Sequence, residues 1–459
     1  MNQSERKYWN MEIEPLLNTE EIKKLQWKKL QYTLKWQYEN TPFNRKRFEK
    51  AGVTPGDIKS FDDYSQAIPV YGQAEIRQIL DEVGFDLNNL MLELFGEKRM
   101  NDLYLLNTTS GTTGVPTPYP CFRAGIPIFK EVFSRMVWRT GARPGDRLAI
   151  CFGLSMHAAS TPQLLYLQDY PGVSIIPIGA EAGTEKILQF LQLFRVNMIS
   201  GTPSLALHLI ERCPDVLGVP VSELGIKTLL LGAEPGAGIP EVRARLENEY
   251  KAKVFDGGAG LGVSCDHPVY QGMHWIADDV AYYELVDPDT REPVPMEDGA
   301  TGLMAATFLE PEAASWFDMR FTFNDLHQVF TDPCPCGLSG FRYKIMGRAD
   351  DMLKVKGVPV YPAAIEGVIQ SFVPRVTGAF RILLDEPPPR VVPPLKLKVE
   401  RGEGVRESDL PALEREIQEK MHNDVEVRPA ITWVEPNTLE RATKKTQLIE
   451  KLYEMRNRP

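Results

Sequence analysis

Between Arg147 and Phe255 the chain alternates short apolar runs with helix-length segments. The runs Leu148–Phe152, Val173–Ile178, Val196–Ser200, Thr228–Leu231 and Val254–Phe255 read as strands. The intervals carry apolar residues at helical spacing, as in Glu185–Phe194 and Ile239–Tyr250. Such alternation predicts a parallel, doubly wound sheet covered by helices, an α/β fold. Upstream, Glu20–Ala51 has a helical pattern rich in Lys, Gln, Leu and Trp, which suits a scaffold helix with a basic outer face. From Ala281 to Phe323 the texture becomes strand and turn, with Asp287-Pro288-Asp289-Thr290 as one turn. A smaller α+β unit follows Gly347, and the proline-rich stretch Asp385–Pro394 within it reads as a surface loop between strands.

Length and charge narrow the class. A chain of 459 residues exceeds what one hydrophobic core usually serves, so two or more domains are expected. A formal net charge of -10 argues against nucleic acid as the main partner. No apolar run approaches a membrane span, and the opening Met1–Lys7 does not read as a signal peptide. Six cysteines in so long a chain do not make a disulfide framework, so the cytoplasm is the expected compartment.

Several segments carry chemistry. Thr108-Thr109-Ser110-Gly111-Thr112-Thr113-Gly114-Val115-Pro116-Thr117 interleaves hydroxyls with glycines directly after the apolar run Leu103–Leu106. Backbone N–H groups and hydroxyls of such a loop can close around phosphate oxygens, although the same string also suits an ordinary surface turn. It lacks the Gly-Lys-Ser/Thr ending of the common P-loop. Gly232-Ala233-Glu234-Pro235 follows a strand, where the carboxyl ends of a doubly wound sheet place a nucleotide base. Asp325 offers a carboxylate able to accept from both hydroxyls of a ribose. Cys334-Pro335-Cys336, with Cys265 and either His267 or His274 upstream, makes a Cys₃His set suited to tetrahedral zinc; buried free thiols are the alternative.

Taken together these segments resemble the adenylate-forming superfamily, and within it the phenylacetate–CoA ligases and coenzyme F390 synthetases. Tyr38–Phe48 and Ile58–Tyr64 are similar to the opening of those ligases. The resemblance implies a large N-terminal adenylation domain with doubly wound sheets (1–347) and a small, mobile α+β C-terminal domain (348–459). It implies that Thr109, Ser110, Gly111, Thr112, Thr113 and Gly114 hold the phosphates of ATP. Gly232, Ala233, Glu234 and Pro235 would lie against adenine and ribose, Asp325 at the ribose, with Asp256 and Arg348 also at the nucleotide. In Gly347–Pro362, the most specific match, Asp350 would be the hinge and Lys356, beside Gly357, would enter for the second half-reaction. Arg441–Thr446 aligns Lys445 with the lysine that neutralises charge during adenylate formation. The family pattern also selects His274 over His267 to join Cys265, Cys334 and Cys336 around a structural Zn²⁺.

The chain departs from the pattern in places. A Tyr-Gly-x-Ser/Thr-Glu segment, whose glutamate holds Mg²⁺ in the family, is replaced by Asp256-Gly257-Gly258-Ala259-Gly260. No carboxylate stands at or near Gly260, leaving Asp256 or Asp266 as substitutes. Val115 occupies a common lysine position, Thr322 and Phe323 replace an Arg and a Thr, and Lys444 replaces a glycine. The expected function is ATP-dependent activation of a small-molecule carboxylic acid to acyl-AMP, followed by transfer to coenzyme A. The alternatives are a non-CoA acceptor (an amine or a carrier protein), an adenylyltransferase of F390 synthetase type, or a nucleotide-binding protein without ligase turnover. Phe152–His157 is expected to contribute to the acyl pocket, and a homodimer is implied by family likeness alone.

Overall fold

The computed structural model describes residues 6–108, 117–156, 158, 161–258, 261–315, 318–440 and 448–456. Strands β1 (Leu103–Thr108) and β2 (Pro118–Phe122) form an antiparallel hairpin. The predicted alternation then appears as β3 (Arg147–Ile150), β4 (Ser174–Pro177), β5 (Met198–Gly201), β6 (Thr228–Gly232) and β7 (Lys253–Gly258). They run parallel in the order β7-β6-β5-β3-β4. Helices Thr184–Leu193, Pro203–Leu217 and Pro240–Tyr250 lie in the crossovers. Successive side chains point to opposite faces, and both faces are covered. Leu148, Met198, Leu230 and Phe255 enter one core, while Ala149, Ile199, Leu229 and Val254 enter the other. That is why these strands read as unbroken apolar runs.

The sheet continues beyond β7 with antiparallel strands. They are β8 (Gly262–Ser264), β9 (Met273–Trp275), β10 (Ala281–Val286), β11 (Pro293–Val294), β12 (Thr301–Phe308), β13 (Asp325–Phe330) and β14 (Arg342–Arg348). The result, among the described residues, is one twelve-stranded mixed sheet in which β7 is parallel to β6 and antiparallel to β8. The Asp287 turn forms as expected, with the Asp287 carboxylate accepting from the amides of Asp289 at 2.9 Å and Thr290 at 2.8 Å.

The N-terminal helical stretch is two helices, Glu20–Asn40 and Pro42–Ala51. Pro42 has no N–H to continue the first and disfavours helical geometry at Thr41, whose φ is -121°. The pair packs on the large sheet through a buried polar cluster. Arg99 Nη1 lies 2.6 Å from Asp318 Oδ1, and Asn44 Nδ2 donates to Asp318 Oδ2 at 2.6 Å. With the carboxylate met from both sides, the buried charge is compensated.

After β14 the chain builds a separate core. Its strands are β15 (Leu353–Val355), β16 (Val358–Val360), β17 (Val376–Leu384), β18 (Arg390–Val391), β19 (Lys396–Arg401), β20 (Ala430–Val434) and β21 (Ile449–Lys451). They form a sheet β16-β15-β18 and a sheet β20-β19-β17-β21, packed with helices Pro362–Gln370 and Leu410–Val425. The proline-rich stretch is more than a loop, because it contains β18. This C-terminal part meets the large one where helix Pro362–Gln370 packs on helix Pro240–Tyr250, and where Arg245 Nη1 donates to the Thr377 carbonyl at 3.5 Å. Among the described residues no helix is long and apolar enough to cross a membrane.

Candidate active site

The carboxyl ends of β6 and β7 meet side by side, with Gly232 registered opposite Gly257. A β-carbon at Gly232 would stand 2.3 Å from the Gly257 carbonyl, so the turn Gly232–Pro235 leaves β6 in close backbone contact with β7. Ala233 follows in the left-handed region at φ 68°. Glu234 turns toward the helix that opens at Pro203, its Oε1 accepting from the Ser204 amide at 2.7 Å. A carboxylate at that end complements the helix dipole and satisfies a free N–H.

Asp256, near the end of β7, is half-buried. Tyr270 Oη donates to its Oδ2 at 2.6 Å, and the Asp256 amide donates to Ser264 Oγ at 2.9 Å. Burial pushes its carboxyl up from 3.8 to about 6, against the opposing pull of Tyr270 and Arg243. A β-carbon at Gly238 would fall 2.8 Å from that carboxylate and 2.9 Å from the tyrosine hydroxyl, so the pair fills the space beside the nucleotide turn. Sequence reading missed Tyr270; it reaches Asp256 from a loop, with no motif to flag it. Asp266, the other substitute for the missing glutamate, pairs instead with Lys253 at 2.6 Å. Gly260 lies outside the described residues. Its flanks, Gly258 and Gly262, are pressed against Tyr343, whose hydroxyl would lie 2.6 Å and 2.2 Å from their added β-carbons. Tyr343 is a second residue the motifs did not reveal.

On the antiparallel half of the sheet, β13 and β14 register Asp325 against Arg348. Arg348 Nη1 lies 3.6 Å from Asp325 Oδ1, and its Nη2 lies 2.8 Å from Asp350 Oδ2. Three residues singled out from sequence thus converge where the chain leaves the large sheet. The altered positions before them fold inward. Thr322 Oγ1 accepts from the Asn324 amide at 3.0 Å, and Phe323 packs edge-on against Phe321 at 4.8 Å between ring centroids. Lys356 sits at the tip of the β15–β16 hairpin, exposed, at φ 52°, with Gly357 at φ 90°. Two successive positive φ values make this a two-residue turn of the kind that matches strand twist.

The hairpin β1–β2 closes with Thr108 opposite Pro118. Thr109, Ser110, Gly111, Thr112, Thr113 and Gly114, with Val115, lie outside the described residues, as does Lys445. The start of that loop does meet the segment expected at the acyl pocket. The Thr108 amide donates to the Met156 carbonyl at 2.8 Å, and the Ala158 amide to the Thr108 carbonyl at 3.3 Å.

The four metal-ligand candidates gather in one cluster. One ligand atom from each of Cys265, His274, Cys334 and Cys336 lies within 4.8 Å of all the others. Cys265 Sγ is 3.9 Å from Cys334 Sγ, and Cys336 Sγ is 3.4 Å from His274 Nε2. Thiolates on one zinc ion at about 2.3 Å would be separated by about 3.8 Å, so the set fits tetrahedral zinc. His274 Nδ1 lies 3.0 Å from the Ser339 carbonyl, which orients the ring and leaves Nε2 facing the thiols. His267 is half-buried and engages Val269 instead.

Comparison with known proteins bears on this geometry. Phenylacetate-coenzyme A ligase of Thermus thermophilus is 30% identical over 392 residues, covering 82% of this chain and 81% of that one. The chain belongs to the phenylacetate–CoA ligase family of adenylate-forming enzymes. Residues 357–451 match the AMP-binding enzyme C-terminal domain. A crystal structure of 2-hydroxyisobutyryl-CoA ligase in the postadenylation state, in complex with R3-HIB-AMP, superposes with a TM-score of 0.86 at 25% identity. It covers 100% of this chain and 95% of that one. The same ligase with 2-HIB-AMP and CoA in the thioesterification state gives 0.67 at 27% identity, over 97% and 92% of the two chains.

Proposed function

We propose that the protein is an AMP-forming acid–CoA ligase that activates a small carboxylic acid with ATP and passes the acyl group to coenzyme A. The observation that carries this reading is the convergence of Asp325, Arg348 and Asp350 where the chain leaves the large sheet. In the first step a carboxylate oxygen attacks the α-phosphorus, the bond to the β-phosphate breaks, and pyrophosphate leaves. Thr109, Ser110, Gly111, Thr112, Thr113 and Gly114 hold the phosphates, and Lys445 offsets charge developing at the α-phosphate. Gly232, Ala233, Glu234 and Pro235 form the base-side turn, with Asp256 and Tyr270 beside it. Asp325 accepts from the ribose hydroxyls, and Arg348 holds that carboxylate in place.

In the second step the C-terminal part turns about Asp350 and brings Lys356 inward. The coenzyme A sulfur attacks the acyl carbon, the acyl–phosphate bond breaks, and AMP leaves. Mg²⁺ would shield the charge of the ATP phosphates, with Asp256 or Asp266 as the carboxylates the chain offers to hold it. Cys265, His274, Cys334 and Cys336 hold one Zn²⁺, which is structural because four protein ligands leave no open position. ATP and coenzyme A are the cosubstrates, and the cytoplasm is the compartment we assign.

The deciding measurement is carboxylate-dependent pyrophosphate release from Mg-ATP across aryl and aliphatic acids, with and without coenzyme A. A signal that coenzyme A stimulates and Lys445→Ala abolishes is expected. Release without that stimulation would point to another acceptor. ATP binding with no acid giving release would instead favour a nucleotide-binding role, for which the absent carboxylate at Gly260 is the ground.

A further inference from the structure

Tyr343 takes part in no step proposed above, yet its side chain ends at the turn joining β7 to β8. It leaves β14 and is 2% exposed. Its hydroxyl occupies space that side chains on the turn would otherwise fill. A β-carbon at Gly258 would stand 2.6 Å from that oxygen, and one at Gly262 closer still. The two glycines are registered against each other across the turn, so both stems are bare where the phenol arrives. The turn carries no polar side chain of its own. Gly257-Gly258-Ala259-Gly260-Leu261 puts alanine and glycine where the family pattern has a hydroxyl and a carboxylate. The Tyr343 hydroxyl is therefore a polar group brought to that place from another strand.

The ring is held firmly. It stacks on His327 at 4.8 Å between centroids and 7° between planes, and meets Trp275 edge-on at 6.2 Å. Tyr283 Oη lies 2.7 Å from His327 Nδ1 and fixes the imidazole in turn. Burial pushes His327 down from 6.5 to about 3, so the stacked ring is neutral at pH 7. The Tyr343 hydroxyl makes no hydrogen bond to any described residue. A buried hydroxyl without a partner is costly, so one this well fixed suits a ligand oxygen. Burial, and after it Asp256 and Asp325, push its pKa up, which keeps it a donor at neutral pH. Those two carboxylates are the ones assigned to the nucleotide. A nucleotide whose ribose meets Asp325 brings its α-phosphate close by, joined through the 5′ oxygen, and phosphate oxygens accept strongly from a phenol.

We propose that Tyr343 donates a hydrogen bond from its hydroxyl to an α-phosphate oxygen of the bound nucleotide, in place of the polar side chains missing from the β7–β8 turn. The contact rests on the nucleotide site proposed above and is independent of which acceptor takes the acyl group. His327 and Tyr283 are positioning residues, acting through the ring they hold.

The test compares AMP with adenosine, which lacks the phosphate, by calorimetric binding to the full-length protein. Tyr343→Phe keeps the stacked ring and removes only the hydroxyl. It should weaken AMP binding about tenfold, the scale of one hydrogen bond to a charged group, and leave adenosine binding and the unfolding midpoint unchanged. Undiminished AMP affinity in the variant overturns the contact. So does an equal loss with both ligands, which would set the phenol against the base or ribose instead. A parent that binds AMP yet releases no pyrophosphate with any acid removes the ligase reading and leaves the phosphate contact standing, because the binding comparison needs no turnover. A parent that binds neither ligand overturns both.

Discussion

Lys356 holds a backbone conformation that side chains with a β-carbon avoid, at φ 52°. A lysine there costs roughly 1 kcal/mol relative to a residue free of that clash. Such strain at an exposed hairpin tip is consistent with a side chain kept for chemistry. Lys356→Gly should therefore hold or gain stability, by up to about 1 kcal/mol, in thermal unfolding, since relief of strain outweighs the added chain entropy of glycine. The same variant should turn over preformed acyl-AMP more slowly with coenzyme A. A lower unfolding midpoint would count against the strained turn. Asp256 is the other residue with a measurable signature. Its carboxyl is raised from 3.8 to about 6, so the folded state holds the proton more tightly than the unfolded chain. The stability it lends is complete below 3.8 and is lost as pH rises through 6. Asp256→Asn should flatten that part of the stability–pH curve, measured as unfolding midpoints from pH 3.5 to pH 7 on parent and variant. At this scale the sequence is legible where a motif is contiguous, as in Arg348 with Asp350. It is silent where partners come from separate elements. Nothing near Tyr270 signals that its hydroxyl reaches Asp256, fourteen positions back.

Among the elements, the parallel strands were predictable because each is buried on both faces and so reads as a continuous apolar run. The single helix expected over Glu20–Ala51 is instead split at Pro42, whose ring lacks the N–H to continue it. The two-residue strand β18 was not predictable, since proline composition reports a lack of helix and says nothing of which neighbour a strand will find. The antiparallel half was legible as texture only; its strand order depends on long-range pairing. The metal-ligand set belongs here because it joins three elements: Cys265 follows β8, His274 lies on β9, and Cys334 and Cys336 lie between β13 and β14. The purified protein should contain about one zinc ion per chain by elemental analysis. Cys336→Ser should lower that content and reduce the unfolding midpoint by several degrees, about 1–3 kcal/mol for a site that ties separate strands. Full zinc content in Cys336→Ser would exclude that cysteine as a ligand.

Over the whole molecule, the question is what holds the C-terminal part against the large one. Glu366, on the helix that packs against Pro240–Tyr250, is pushed up from 4.5 to about 8, first by burial and then by Glu234 across the contact. Glu241, on the facing helix, adds a second negative charge near Gly367. A protonated Glu366 suits this setting and an ionised one does not. The packed arrangement is thus favoured most at low pH and loses that support as pH rises through 8. Spin labels at positions 245 and 377, which touch across the contact, should move apart between pH 7 and pH 9. Glu366→Gln should remove the pH dependence; a distance insensitive to pH in the parent would show that the pair does not control the arrangement. By itself the sequence determined the family and the parallel half of the sheet, because local periodicity and contiguous motifs encode these directly. Tertiary structure decided the rest: Tyr270 on Asp256, β18 beside β15, and the packing of the two parts. Each of these depends on pairing and burial between residues distant along the chain, and one-dimensional spacing carries no record of such contacts.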